Sequence, residues 1–532
     1  MTALKNSKFT INPSYRIIMI MALSLIVILL GCSAFKKINR KITEPESFKK
    51  FSEGRLKLMR DSSPFLKVHM KNGNVYVLQN WSLDEQRHHV LGDGMLYNAV
   101  REILQQGQFK IGLDSVAIFE TNVLEASDAV AGLMVFTGIT AAITIYCITN
   151  SKACFGSCPT FYTSDGDSFR LEAEGFSASI APSLEATDVD ALFHASASGE
   201  EFALQMRNEA LETHVVRRVN LLAVPRTSGH RIFADLNGQF WECTSVIPPI
   251  SATAPEGNCL KFLLDADGNE RYSRADSTYL GAKEVIELEF ENIPQQTCGL
   301  IIGCRQTLLT TYLLYQTYAY MGNNVGYWIA QIERKKIKQN QNSIQKILSG
   351  IEVLIQDDVG NWKILNQVNE YGPLATDFHL VPLGQLVGRS AKIRLRMTKG
   401  NWRIDYVGLA VISQAVQAIR LQPLKVLKDG LEDDQALATL CDSTKVLISL
   451  PGDTYTLKYH MPNATGNYEF FLESQGYYLE WIRKEWIEEE NPFFLAQMLF
   501  DPQTALKRLA PEFKRVEKEI EYCFWRSRYA RP

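Results

Sequence analysis

The sequence is as informative in what it lacks as in what it contains. No charge of one sign dominates: 56 basic residues face 59 acidic ones, so the chain has no basic field of the kind that holds nucleic acid. Its eight histidines (69, 88, 89, 194, 214, 230, 379 and 460) are scattered, and none stands in the His-Glu-x-x-His spacing of helical zinc hydrolases. Gly92 and Gly94 are not followed by a helical pattern, which argues against a dinucleotide-binding loop. Gly175-Phe176-Ser177-Ala178-Ser179 begins like a nucleophile elbow, but a serine replaces the closing glycine and the flanks read as a hairpin. Cys154-Phe155-Gly156-Ser157-Cys158 has no second Cys/His pair nearby to complete a zinc site. No metal and no cofactor is expected.

What is present starts at the N-terminus. Residues 1–16 carry Lys5, Lys8 and Arg16 and no acid, and Ile17 to Leu30 is an uncharged apolar run. That run falls short of the ~20 residues of a spanning helix but suits a signal-peptide core. It ends in Leu29-Leu30-Gly31-Cys32, which resembles the lipobox of bacterial lipoproteins. The resemblance implies cleavage before Cys32 and a diacylglyceryl group on its thiol, with an uncleaved N-terminal anchor as the alternative. Acyl chains anchor firmly because each buried methylene contributes roughly 0.8 kcal/mol. Ser33 is not the aspartate that favours inner-membrane retention, so the resemblance places the protein on the outer membrane, facing the periplasm. The basic stretch Lys36 to Lys41 reads as a solvated stem that also suits anionic head groups.

The rest reads as mainly β with some helix. After a stem at 32–60, residues 61–125 form a small β-barrel or sandwich, with a hairpin at Lys71-Asn72-Gly73-Asn74 and a tight turn at Leu91-Gly92-Asp93-Gly94. Residues 126–150 hold Ala129 to Ile148, twenty residues without a charge. They read as a buried or interfacial helix, or as a true span; a span would place the protein in the inner membrane. A β-rich domain follows at 151–300, with an Asp165-Gly166 hairpin and a turn at Leu264–Asn269, then a helical insertion at 301–347. Residues 348–470 read as a sandwich or jelly roll, and 471–532 as a helical arm. In that arm, Asn491-Pro492 and Asp501-Pro502 each set an N-cap residue before proline. Nine cysteines remain once Cys32 is lipidated. The close pairs Cys154/Cys158 and Cys298/Cys304 are candidate disulfides, with buried thiols as the alternative.

Ser157-Cys158-Pro159-Thr160-Phe161-Tyr162 with Asp165-Gly166, then Glu174-Gly175 and Ser183-Leu184-Glu185-Ala186-Thr187-Asp188, resembles a module of uncharacterised bacterial lipoproteins. The strands Val219–Val224 and Trp402–Val407 are similar to strands of the same proteins, the second in a region like galactose-binding jelly rolls. The resemblance covers about two thirds of the chain and implies an architecture, not an activity. Chemistry is concentrated in the acids it spans: Glu174, Glu185 and Asp188 beside a glycine turn form the candidate polar site, for acid/base work or for binding a cation or sugar hydroxyls. The expected function is a non-enzymatic envelope module, tethered to a membrane, that binds or assembles with a protein or glycan. The alternative is a hydrolase acting through those three acids.

Overall fold

The computed structural model describes residues 36–43, 45–62, 65–70, 75–97, 103–126, 158–165, 168–177, 179, 185–197, 199–210, 212–322, 344–357, 359–369, 372–386, 388–463, 465–480 and 489–522. Cys32, the apolar run 129–148 and Cys154 lie outside them. No helix among the described residues is long and apolar enough to cross a membrane. The chain is mainly β, and its described residues are arranged in five sheets with a few helices.

Alternating apolar residues in short runs build the first unit. Its antiparallel sheet runs in the order Lys36–Thr43, Val116–Ala126, Leu66–Met70, Val75–Leu83, His89–Tyr97, Ile103–Gly112. Helices Pro45–Lys49 and Glu53–Ser62 bring Phe48, Leu56 and Met59 onto Leu66, Val68, Leu78, Trp81 and Phe119. The expected turn at Leu91–Gly94 is instead the middle of the strand His89–Tyr97. A Cβ on Gly94 would lie 2.0 Å from the Val77 carbonyl oxygen, so this glycine permits close approach of two strands rather than a reversal.

Beyond residue 158 the sheets close across the sequence-based boundaries. One sheet orders Leu431–Glu432, Lys425–Lys428, Thr454–His460, Glu201–Arg207, Thr160–Asp165 and Ser168–Glu174; the other orders Ile419–Leu421, Glu212–Pro225, Tyr468–Glu480 and Ala186–Ala191. They enclose Phe161, Leu204, Met206, Val219, Leu221, Leu457, Tyr459 and Leu472, which makes a sandwich from chain on both sides of an insert at 226–418. The separation at 151–300 and 348–470 is therefore corrected: the strands that complete the first sandwich lie some two hundred residues downstream. Tyr477 and Tyr478, expected in a helical arm, end the strand Tyr468–Glu480 instead. Pairing along Glu212–Pro225 overrides their local pattern. The Asp165-Gly166 hairpin is present, with Asp165 opposite Ser168.

The insert contains a closed ring of strands. Phe240–Ile247 pairs with Arg231–Asp235, which pairs in parallel with Asp377–Gln385; then come Thr297–Gln306 and Trp402–Val416, which returns to Phe240–Ile247. Each ring strand contributes to one cluster, Phe233, Cys243, Ile301, Leu380, Ala410 and Ile412, which fills the lumen. A second sheet, from Gly257–Asn258 through Ser251–Ala254, Lys283–Glu291, Ser390–Thr398 and Ile351–Gln356 to Trp362–Val368, packs on the ring through Ile286, Leu288, Ile393 and Leu395. Its outer face carries cross-strand ion pairs, among them Lys392–Glu289 at 2.7 Å and Arg394–Glu287 at 2.8 Å.

Cys298 and Cys304 resolve to the thiol alternative. Both are free and buried on the strand Thr297–Gln306. Six residues of extended chain separate them by roughly 20 Å, beyond the reach of a bridge. Cys158 is also a free buried thiol.

Helices Leu309–Met321, Ile344–Leu348, Pro492–Phe500 and Pro502–Val516 form a layer around Leu309, Tyr312, Leu313, Leu495, Met498, Leu506, Leu509 and Phe513. The expected caps are in place: Asn491 Oδ1 accepts from the Phe494 amide at 3.0 Å and Asp501 Oδ1 from the Thr504 amide at 3.3 Å.

Arg271, 1 % exposed, is the most deeply buried arginine among the described residues of the insert. Its guanidinium donates to both oxygens of Glu256 and both of Glu284, and Ser273 Oγ donates to Glu284 as well. Removing it strands the buried Glu284 carboxylate. Arg271→Ala is expected to cost about 3–5 kcal/mol in urea unfolding, several times the cost of Lys392→Ala on the exposed face, where ion pairs are worth about 0–1 kcal/mol.

Candidate functional site

The three acids singled out in the sequence separate in the structure. Glu185 is taken by Arg217, whose Nε and Nη2 donate to its two oxygens at 2.5 and 3.1 Å. Glu174 and Asp188 instead meet at the open edge of the sandwich, where the insert arrives. Glu174 ends the strand Ser168–Glu174. It is followed by a turn in which Phe176 takes a φ of 39°. Gly175 is required there: a Cβ would lie 2.6 Å from the Phe161 ring and 2.7 Å from Ser474 Oγ.

Two further acids join them. Asp190 lies two residues beyond Asp188 on the strand Ala186–Ala191, and residues i and i+2 of a strand share a face. Asp377 arrives at the start of its ring strand and accepts from the Ala191 amide at 3.0 Å and from its neighbour Phe378 at 2.8 Å. His379, two residues on and again on the same face, places Nε2 2.5 Å from Asp377 Oδ2. Glu174 Oε2 accepts from the Leu374 amide at 2.8 Å. Hydrogen bonds thus cross between sandwich and insert in both directions.

Burial governs the electrostatics. It raises Glu174 to about 7 against the pull of the Leu374 and Ala375 amides, the Cys158 thiol and Arg305. Burial, then the Asp377 charge, raises Asp188 to about 6, with His379 offsetting part of the effect. Asp190 is held well above the usual carboxylate range by burial and by Asp188, Asp377 and Glu174. Asp377 is the exception: burial works upward on it too, but His379 and the two amides prevail and lower it.

The site is closed. A Cβ on Gly372 would lie 2.0 Å from Glu174 Oε2, so backbone occupies the space a substrate would need. Glu174 is 4 % exposed and Asp190 5 %. Among the described residues no group of three His, Cys, Asp or Glu side chains is arranged to hold a metal ion.

Two other histidine-acid groups have structural partners. His88 and His89 belong to a turn organised by Asp84, which accepts from both their amides and from His89 Nδ1 at 2.8 Å. Glu212 and His214 form a fully buried pair at 2.7 Å within the sandwich. The alternation Asp188-x-Asp190 was a readable signal for a shared face. Asp377-x-His379 offered the same signal, but nothing local tied it to a strand nearly two hundred residues earlier.

No family model matches the chain, and no curated protein matches it. Among solved structures, it is similar to the secreted serine protease VesC from Vibrio cholerae, with 8 % identity, 71 % of this chain and 76 % of that chain covered, and a TM-score of 0.14. It is also similar to the GH31 alpha-xylosidase from Xanthomonas citri, with 7 % identity, 78 % and 37 % covered, and a TM-score of 0.14. At these scores neither carries a fold or an activity across.

The contact between Gly372 and Glu174 makes a direct prediction. Gly372→Ala is expected to destabilise the protein by about 1–3 kcal/mol through overpacking. In a Glu174→Ala background the same change should cost less, because the atoms it strikes are gone. A double-mutant cycle in urea reads the coupling; additive costs would disprove the close approach.

Proposed function

We propose that this protein is a lipid-anchored envelope module that binds or assembles with a protein partner and performs no catalysis. The N-terminal pattern ending in Leu30-Gly31-Cys32 supports the anchor. The observation that carries the binding role is the helix Pro492–Phe500. One side, Phe494, Leu495 and Met498, is buried in the helical layer. The other presents Phe493 at 90 % and Phe500 at 80 % exposure, with Leu499 beside them. A helix apolar on all sides belongs in an interior, so an outward aromatic face marks a place where something docks. Phe493, Ala496 and Phe500 lie at i, i+3 and i+7, a spacing that fits a hydrophobic groove on a protein. A glycan needs more polar groups between its aromatic platforms.

Hydrolysis is the second reading, and one observation favours it: a carboxyl raised to about 7, as at Glu174, suits a general acid. The closure of that carboxyl by Gly372 and the capture of Glu185 by Arg217 favour binding.

Two measurements test the proposal. In membrane fractionation, Cys32→Ala is expected to release the protein into the soluble fraction; retention would mean that another element, such as 129–148, holds it. In cells, position-specific photocrosslinking from residue 493 is expected to give one discrete protein adduct, reduced at least tenfold by Phe500→Ser. Absence of any adduct, together with hydrolysis of an envelope glycan or ester that is lost in Glu174→Gln, would replace binding with catalysis.

A further inference from the structure

Four carboxyl groups meet where the insert touches the sandwich, and Asp190 and Glu174 each keep a buried oxygen, Oδ2 and Oε1, without a hydrogen-bond partner among the described residues. Asp190 is 5 % exposed. We infer that this joint is a proton-held latch: the insert stays docked on the sandwich while Asp190 and Glu174 carry protons, and loosens when they are lost.

The geometry is that of a strap. Residues 372–375 run across the edge of the sandwich, with Leu374 donating to Glu174 and the Gly372 carbonyl accepting from the Gln306 amide of the ring at 3.2 Å. Two residues further, Asp377 accepts from Ala191. The sandwich thus contributes one acceptor and one donor, and the strap segment supplies their counterparts.

The groups around the cluster determine what a proton does there. From the sandwich come Glu174, Asp188, Asp190 and the Cys158 thiol, with Glu212 and Tyr478 acting on Cys158. From the insert come Asp377, His379, Arg305 and the Cys304 thiol, the last beside Asp377 and Glu270. The basic groups bond to other acids: Arg305 to Glu270 at 2.5 and 2.7 Å, with Glu521 3.5 Å beyond, and His379 to Asp377. Every charge that acts on Asp190 comes from a carboxylate: Asp188, Asp377 and Glu174. A neutral carboxyl is tolerated in that setting, whereas a charged one meets like charges without water.

The sign follows from linkage. Glu174, Asp188 and Asp190 bind protons more tightly docked than exposed, so their contribution to docking is complete below the ordinary carboxylate range. It is lost as pH rises through about 6 for Asp188 and about 7 for Glu174. Asp377, held low by His379, contributes in the opposite sense, present at neutral pH and lost in acid. The joint is therefore tightest in mild acid.

Hydrogen exchange at the Ala191 and Leu374 amides, the two donors across the joint, tests this on the full chain. After correction for intrinsic exchange, opening is expected to rise by up to about tenfold per pH unit for each carboxyl titrating, between about pH 5 and about pH 8. Asp190→Asn and Glu174→Gln, which keep shape but cannot ionise, should each flatten that rise. A pH-independent wild type, or an unchanged slope in Asp190→Asn, overturns the latch. Infrared spectroscopy of the wild type needs no variant to fold: a protonated-carboxyl stretch persisting at neutral pH is expected, and its absence also overturns the proposal.

Discussion

The strand Asp377–Gln385 is the constraint on which the rest depends. It closes the ring through a parallel contact with only two register pairs, Ala234 with His379 and Asp235 with Leu380. So short a ladder is weak alone, and side chains make up the difference. Four successive residues address four surroundings. Asp377 takes an amide from the sandwich, Phe378 stacks on Phe193 with centroids 3.8 Å apart, His379 turns back to Asp377, and Leu380 enters the lumen. Gly303 makes room for Phe378, since a Cβ there would lie 2.5 Å from its ring. One strand thus serves both ring closure and docking to the sandwich.

Much of the local structure was legible in the sequence, and most of the topology was not. The Asp165-Gly166 hairpin and the caps at Asn491 and Asp501 follow from interactions within a few residues, and all three form. Mainly β content follows from alternation, which is also local. The insertion of 226–418 into a sandwich cannot be read this way, because Glu201–Arg207 pairs with Thr454–His460 across about 250 residues. Gly94 shows the same limit in miniature: a glycine required by a neighbouring strand looks, in one dimension, like a turn. The acid cluster was half visible. Glu174 and Asp188 were grouped by proximity along the chain, which also drew in Glu185, although Arg217 claims it. Asp190 was available from strand periodicity, whereas Asp377 and His379 became relevant only through the fold.

Two arrangements among the buried acids contrast, and the difference is physical. Glu284, Glu270 and Glu185 are each met by an arginine fork, which compensates their desolvation with directional, charge-assisted bonds. Glu174 and Asp190 have no such partner and sit where the insert meets the sandwich. An arginine there would fix the charge state and remove any response to protons. Apolar residues would bury area equally well, but they would offer Leu374 no acceptor and would not specify where the strap lies.

The helical layer extends the consequence of that joint to the surface. Its polar ties run to the insert: Glu517 accepts from Tyr272, Lys514 donates to the Ala275 carbonyl at 2.9 Å, and Arg403 grips Glu521. The partly buried Leu171 of the sandwich also packs against this layer, but an apolar contact of that kind has no direction to enforce. The helix Pro492–Phe500 and its exposed phenylalanines are therefore carried by the insert. Whatever fixes the insert on the sandwich fixes the direction in which the aromatic face points relative to the sandwich strands. Part of that joint is apolar: Leu222, Val224 and Phe471 of the sandwich cluster with Ile232, Ala234 and Phe378 of the insert. Area alone has no direction to enforce, so orientation comes from the bonds to carboxyls beside it, Leu374 to Glu174, Ala191 to Asp377 and Arg231 to Glu469.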